Sequence, residues 1–217
     1  MTFKHDTVIL DKVTRATPAT PNPGRRPAIA ADEVLDIAET LLDDGGFDAL
    51  SVRRIADAAG ASRQVVYTNF GGMDGLLDGL HRRLSTRLAS VVDGVEPDPG
   101  TLEHILDATA SYRTAARRWP HLYQLAFERP VADYAVGPEA LADGRRSFGR
   151  IVQAAAAWLT RRDPATPPTE QRSIELARTL WSTTHGFVVL ERVGFASTDE
   201  TDDLSDRAIR ALLMSWE

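Results

Sequence analysis

Cysteine is absent from this chain of 217 residues. Its absence excludes disulfides, thiolate metal sites and cysteine nucleophiles, and it fits the reducing cytoplasm. Apolar runs are short, and none approaches the roughly 18 residues that a membrane-spanning helix needs. The first residues also lack an apolar stretch followed by a small-residue cleavage site. We therefore expect a cytoplasmic protein with no membrane partner.

Lysine is scarce, since Lys4 and Lys12 are the only two among the 25 basic residues. The formal net charge is −6, which on its own disfavours a nucleic-acid partner. Net charge is a weak guide, however, because DNA binding depends on where the cations cluster. The sequence therefore leaves room for a local basic surface on an acidic protein.

The motifs of common enzymes and metal sites are missing as well. The five histidines form no HExxH or other metal-ligand spacing, and there is neither a glycine-rich phosphate loop nor a nucleophile elbow. We therefore predict no cofactor, no metal site and no enzymatic activity.

Apolar residues recur at helical spacing and strand patterns are absent, so we predict an all-α fold of about nine helices. The first apolar stripe ends at Gly45-Gly46, a helix stop. Ser51 and Ser62 precede two short helices and are the expected N-terminal caps. Residues 1–24 contain three prolines and are typical of a disordered arm.

The two short helices are joined by a tight turn at Gly60, which predicts a helix-turn-helix. In this motif the inner face of the second helix is held by its neighbours, and its outer face enters the DNA major groove. The stretch "ASRQVVYTNF" at residues 61–70 carries more hydrogen-bonding side chains than such a short helix needs for folding. We therefore predict a DNA-binding domain at residues 25–72.

Candidate DNA contacts follow from side-chain chemistry. Arg63 is suited to a phosphate or a guanine edge, and Gln64 is suited to adenine. Thr68 and Asn69 are suited either to the sugar-phosphate backbone or to the end of their own helix. The remaining candidates are suited to phosphate or, at the basic arm, to the minor groove: Ser51, Arg53, Arg54, Ser62, Tyr67, Arg25 and Arg26.

The segment "VLDIAETLLDDGGFDALSVRRIADAAGASRQVVYTNFGGMDGLL" resembles the N-terminal domain of the TetR family of bacterial transcriptional regulators. The resemblance covers residue 29 to roughly residue 80 without a gap. The matching positions include the glycine turns, the cap and the end of the second short helix: Gly46-Phe47, Ser51, Ile55-Ala56, Ala59-Gly60, Ser62, Tyr67, Asn69 and Phe70.

Three positions depart from the family pattern. Met73 stands where members usually have a lysine that donates to a phosphate, Asn69 stands where histidine is commoner, and Gly72 replaces a usual capping residue. The loss of the cation and the acidic charge support an alternative function, a helical adaptor with a degenerate helix-turn-helix.

The resemblance implies that residues 73–217 form a helical domain that dimerises and holds a small-molecule effector. It also implies a dimeric repressor of a palindromic operator, whose fit to DNA changes when the effector binds. The helix at 174–193 is apolar on two sides, and with the last helix it is expected to form half of a four-helix dimer interface. On the last helix the expected interface residues are Ile209, Leu212, Leu213 and Trp216.

Aromatic residues at helical spacing suggest either a ligand cavity for a small apolar or aromatic effector or ordinary core packing. "WSTTHGFVVLE" also resembles a Trp-His-Gly segment of one C-terminal subgroup of the family, and it places His185 either on an effector or in an interface. We interpret Arg145, Arg146 and Arg150 as a solvated face. The candidate ligand-binding residues are Tyr112, Trp119, Tyr123, Phe127, Phe148, Trp158, Trp181 and His185.

Overall fold

The computed structural model describes residues 29–95 and 98–216. All regular structure in these ranges is helical, which confirms the all-α prediction, and no helix there is long and apolar enough to cross a membrane. The predicted arm at 1–24 lies outside the described residues. The α-helices are α1 Ala31–Gly45, α2 Val52–Ala58, α3 Gln64–Phe70, α4 Met73–Asp93, α5 Leu102–Arg118, α6 Pro120–Phe127, α7 Pro138–Arg162, α8 Glu170–Arg192 and α9 Thr198–Ser215.

Serine caps begin two of these helices, but not all that we expected. The Ser51 hydroxyl accepts a hydrogen bond from the Arg54 N–H at 3.3 Å and starts α2 as predicted. The cap predicted at Ser62 is wrong, because α3 begins one residue later and its N-cap is Arg63, in helical conformation and without a side-chain cap. A complete capping box joins Ser197 and Glu200 at the start of α9.

The turn between α2 and α3 needs a glycine. Gly60 has φ +58°, in the left-handed region that a side chain disfavours. The Gly60 N–H bonds to the Asp57 carbonyl at 3.1 Å, and the Ala61 N–H bonds to the Ala56 carbonyl at 2.9 Å. These two bonds form a Schellman motif, which ends α2 and sends the chain directly into α3.

A second close approach fixes α3 against α4. A Cβ added at Gly75 would lie 1.9 Å from the carbonyl oxygen of Phe70, so no side chain fits there. The end of α3 thereby rests on the first turn of α4. The orientation of the short helix is thus set by its neighbours and not by its own length.

Two clusters of buried apolar residues hold the fold together. The first contains Val34 and Leu42 of α1, Ile55 of α2, Val66 of α3 and Leu80 of α4, and it continues into α5 and α6. It therefore crosses the domain boundary that we predicted at residue 72, and the division into two domains stays a prediction. The second cluster lies among α5, α7, α8 and α9.

A buried arginine ties α5 to α9 beside the second cluster. Arg113 is only 2% exposed, and its guanidinium donates to Asp202 at 2.9 Å, Ser205 at 2.7 Å and Asp206 at 3.1 Å. One turn later Arg117 donates to Asp202 at 2.7 Å and to Glu191 of α8 at 2.8 Å. Three helices are thus joined by one charged network.

Candidate nucleic-acid interface and ligand cavity

The outer face of α3 is polar and open to solvent. Arg63, Gln64, Tyr67 and Thr68 are exposed, whereas Val66 on the opposite face is fully buried. Tyr67 is 52% exposed, which is unusual for a side chain that could pack on the core. Within the described chain, the hydrogen bond among these side chains is the one that the Gln64 amide donates to the Thr68 hydroxyl at 3.4 Å, one turn apart on the helix. These groups are therefore available to a partner.

Ser62 extends the same face, and the helix-turn-helix carries three exposed arginines. Ser62 is exposed, and its hydroxyl is not used as a cap. Arg53 and Arg54, in the first turn of α2, and Arg63 are exposed and form no ion pair with the described chain. Unpaired guanidinium groups next to a helix N-terminus suit phosphate oxygens. The acidic chain thus has a local cationic surface at the helix-turn-helix.

Two of the predicted DNA contacts have structural partners instead. The Asn69 side-chain amide donates to the Val65 carbonyl at 3.0 Å and to the Ile29 carbonyl at 3.3 Å, so it ties α3 to the residues before α1. Of the alternatives left open for Asn69, the structure therefore favours its own helix end. The Ser51 hydroxyl is occupied by its capping bond. Arg25 and Arg26 lie outside the described residues.

Met73, the position of the missing lysine, packs on the protein. Its partly buried side chain lies against the first apolar cluster at the start of α4. The residue before it, Gly72, has φ +142° and gives α4 no side-chain cap. The exposed arginines of the helix-turn-helix therefore remain the candidates for phosphate contacts.

A cavity of about 360 Å³ lies among α4, α5, α6, α7 and α8. This is within the range of roughly 300–1,000 Å³ that is usual for small-molecule sites. Four of the eight predicted ligand residues line it, namely Tyr112, Phe127, Phe148 and Trp181. The structure thus brings together aromatic side chains from four different helices.

A chain of hydrogen bonds continues behind this wall. The Trp181 indole N–H donates to the Tyr112 hydroxyl at 2.9 Å, and that hydroxyl donates to Tyr123 at 3.2 Å. The Tyr123 hydroxyl in turn bonds to Nδ1 of His185. Burial raises the pKa of Tyr112 to about 12 and lowers the pKa of His185, so both groups are neutral near pH 7. Tyr123 and His185 therefore support the cavity wall from behind.

The remaining two predicted ligand residues lie elsewhere. Trp119 contacts two arginines, with the Arg87 guanidinium 4.7 Å and the Arg118 guanidinium 5.4 Å from its ring centre. Trp158 is 8% exposed and belongs to the second apolar cluster. For these two residues the structure fits the alternative of ordinary packing. Helical spacing places aromatic residues on one face of a helix, but it does not tell whether that face lines a cavity or packs in an apolar cluster.

Five polar cavity residues were not predicted as ligand contacts. His81 and Ser85 line the cavity from α4, Arg145 and Ser147 from α7, and Arg178 from α8. Arg145 had been interpreted as part of a solvated face, and it is indeed exposed, but at the cavity rim. A signal for His81 and Ser85 exists in the sequence, since they continue the apolar stripe of α4 one turn apart.

Comparison with known proteins decides the family. One family model, described as "Bacterial regulatory proteins, tetR family", matches residues 34–80, and another, "Tetracyclin repressor-like, C-terminal domain", matches residues 105–212. The chain belongs to the TetR family. It is a DNA-binding transcriptional regulator and not an enzyme, and the alternative of a helical adaptor loses its support. The subgroup suggested by the Trp-His-Gly segment stays a prediction.

Individual relatives are distant in sequence but match most of the chain. Rv0681 of Mycobacterium tuberculosis, an uncharacterized HTH-type transcriptional regulator, is 22% identical over 188 residues, 87% of this chain and 82% of the relative. A structure of a protein with unknown function from Rhodococcus sp. RHA1 has a TM-score of 0.71 at 20% identity and covers 90% of this chain and 98% of that one. A TetR variant from Acinetobacter baumannii AYE, in complex with minocycline, has a TM-score of 0.59 at 17% identity, over 86% and 95% of the two chains. These structures share the TetR fold.

In this TetR-family chain one helix connects the two candidate sites. Leu84 and Leu88 of α4 line the cavity, and the first turn of α4 supports α3. Arg83 of α4 donates to Asp36 at 2.6 Å and to Glu39 at 2.7 Å, both on α1. The same helix therefore contacts both the cavity and the helix-turn-helix.

Apolar side chains are exposed on α8, on α9 and in the turn between them. Val193 is 70% exposed, Phe195 83% and Met214 72%, and Leu190 and Leu204 are exposed to a smaller extent. The α9 residues that we expected in an interface behave differently. Ile209 and Leu213 are buried in the second cluster, with Leu212 and Trp216 packed against it, because the helix turns that stripe towards its own core.

Proposed function

We propose that this TetR-family protein is a repressor that binds a palindromic operator as a homodimer and is released by a small apolar or aromatic effector. The observation that carries this proposal is the α3 face, where exposed hydrogen-bonding side chains stand on a fully buried apolar support. The site of action would be the cytoplasm, where a bacterial chromosome lies. The likeness of the C-terminal part to a tetracycline-repressor domain supports repression over activation.

The DNA roles follow from position and chemistry. Arg63 and Gln64, at the start of α3, are assigned to base edges, since the first residues of a recognition helix reach deepest into the major groove. Ser62, Tyr67 and Thr68 are assigned to phosphate and sugar oxygens. Arg53 and Arg54 are assigned to phosphates on the strand that α2 crosses. The minor-groove role of Arg25 and Arg26 stays a prediction.

The dimer is proposed to form through α8 and α9. Their exposed apolar side chains are Leu190, Val193, Phe195, Leu204 and Met214, and exposed apolar groups in such number are typical of an interaction surface. A Cβ at Gly186 of α8 would meet nothing within 4 Å, which leaves room for a partner helix. A two-fold dimer would place its recognition helices about 34 Å apart, one turn of DNA.

Effector control is proposed to act through α4. A ligand that fills the cavity would push on the α4 side chains that line it, and the Arg83 ion pairs and the Gly75 contact would transmit the movement to α1 and α3. A crystallised TetR relative carries minocycline, which supports a small-molecule ligand for this fold. Binding energy can shift the equilibrium only by the difference in affinity between the two conformations.

The test is selection of bound sequences from a random DNA pool, followed by titration of the selected DNA at two salt concentrations. We expect enrichment of a palindrome and a steep loss of affinity with salt. Tyr67→Phe should weaken binding to all DNA, whereas Gln64→Ala should mainly relax the sequence preference. An equal loss on every sequence for both variants would contradict the assigned roles. No enrichment by a folded dimer would contradict the operator itself.

A further inference from the structure

We propose that the cavity selects an amphipathic carboxylate, with an aromatic or other apolar body and one anionic group. The proposal rests on the effector function proposed above and adds the chemical class of the ligand. Its basis is the arrangement of three groups of side chains in the cavity lining, which are aromatic, cationic and neutral polar.

The aromatic wall would hold the apolar body. Tyr112, Ile151 and Trp181 also border a second, smaller pocket of about 40 Å³ next to the cavity. This pocket is lined almost entirely by apolar groups, among them Ile105 and Leu180. The side of the cavity formed by these three residues is therefore apolar, and only an apolar group avoids a desolvation cost there.

Two arginines from different helices line the cavity. Arg145 of α7 and Arg178 of α8 are both exposed, and neither forms an ion pair with the described chain. The next residue, Arg146, behaves differently, because it is paired with Asp143, as is Arg82. The guanidinium groups of Arg145 and Arg178 are therefore free to bind an anion.

The rest of the lining contains no opposing charge. None of the described residues that line this cavity is an aspartate or a glutamate. A cationic ligand would therefore meet two like charges and no counter-ion, whereas a carboxylate would meet two fork-shaped donors suited to its geometry. The charge of the lining thus favours an anion over a cation or a neutral molecule.

His81 adds a neutral polar side chain to the cavity lining. The residue is only 7% exposed, and burial lowers the pKa of its imidazole, which keeps the ring uncharged near pH 7. Its Nδ1 atom is covered by neighbouring atoms and has no hydrogen-bond partner in the described chain. The preference for an anion therefore rests on the two arginines.

The test compares naphthoate with its neutral isostere naphthamide by titration calorimetry on the full-length protein. We expect naphthoate to bind at least about tenfold more tightly, and we expect added salt to weaken naphthoate alone. Arg145→Gln and Arg178→Gln should each remove most of this preference and leave naphthamide binding unchanged. The matched control is Arg172→Gln, since Arg172 is also exposed and free of ion pairs on α8 but does not line the cavity.

Equal binding of acid and amide, binding of neither, or an equal loss in the Arg172 variant would each overturn the proposal. The effector function is measured separately, as release of the selected operator by naphthoate. Tight, arginine-dependent binding of naphthoate without release would keep the carboxylate site and contradict the effector function. Release by naphthamide alone would keep the effector function and contradict the carboxylate site.

Discussion

Replacing Arg113 with methionine should cost a large part of the stability of the C-terminal helices. The arginine is 2% exposed and connects α5 to three side chains of α9. Methionine keeps much of the volume and removes the charge and all three hydrogen bonds. The substitution therefore isolates the polar network from the packing around it.

The expected loss in the free energy of unfolding follows from the hydrogen bonds that each partner of Arg113 retains. Ser205 is fully buried and would lose its partner, at a cost of about 1–3 kcal/mol. Asp202 retains Arg117, and the Asp202 and Asp206 side chains are 43% and 42% exposed, so water can replace part of what they lose. We therefore expect the free energy of unfolding to fall by about 2–4 kcal/mol in total. This is near or below the ~3–5 kcal/mol that is lost when a buried ion pair is broken.

The assay is urea unfolding followed by circular dichroism at one fixed protein concentration, because association would otherwise shift the midpoint. In a thermal scan of the same samples, the melting temperature should fall by roughly 5–15 °C. Arg210→Met is the control, since Arg210 is exposed on α9 without an ion pair and should cost less than about 0.5 kcal/mol. A loss below about 1 kcal/mol for Arg113→Met would refute the reasoning and show that the network contributes little net stability.

Three further predictions test the DNA-binding surface, the proposed dimer interface and the buried histidines. Met73→Lys should tighten binding to DNA of any sequence and steepen the salt dependence of the affinity by about one phosphate contact. The measurement is titration at several salt concentrations. An unchanged slope of affinity against salt would contradict the phosphate role inferred for a lysine at this position. Gly186→Leu should shift sedimentation towards the monomer, because the leucine side chain would enter the proposed dimer interface. The control is Gly149→Leu on α7, since a Cβ at Gly149 also meets nothing within 4 Å, and this variant should leave the dimer intact. Burial lowers the pKa of both His81 and His185 in the folded protein. The stability that these neutral histidines contribute is therefore present above the unfolded pKa of about 6.5 and is lost as pH falls through the lower folded values. The free energy of unfolding should decrease below pH ~6.5, with a shallower slope in His81→Asn, and an identical slope in that variant would argue against burial of a neutral His81.

Much of the DNA-binding unit could be predicted from sequence because its determinants are local. The turn needs Gly60 for its backbone conformation, the cap needs Ser51 for its hydroxyl, and the buried and exposed faces of α3 follow from spacing alone. The helical class follows in the same way from the apolar period. The role of Asn69 could not be predicted in this way, because its hydrogen bond to the Ile29 carbonyl joins residues forty positions apart.

The ligand cavity and the outer faces of α8 and α9 were decided by tertiary structure. A helix with apolar residues on two sides does not reveal which side meets its own core, and so Ile209 and Leu213 proved to be core while Met214 is exposed. Trp119 and Trp181 have the same chemistry, yet one stacks on arginines and the other lines the cavity. The sequence alone determined the helices and the exposed polar face of α3, because these depend on neighbours within a few residues. The packing of helices far apart in the chain decided that Arg145, Arg178 and His81 line one cavity, because only that packing brings α4, α7 and α8 together.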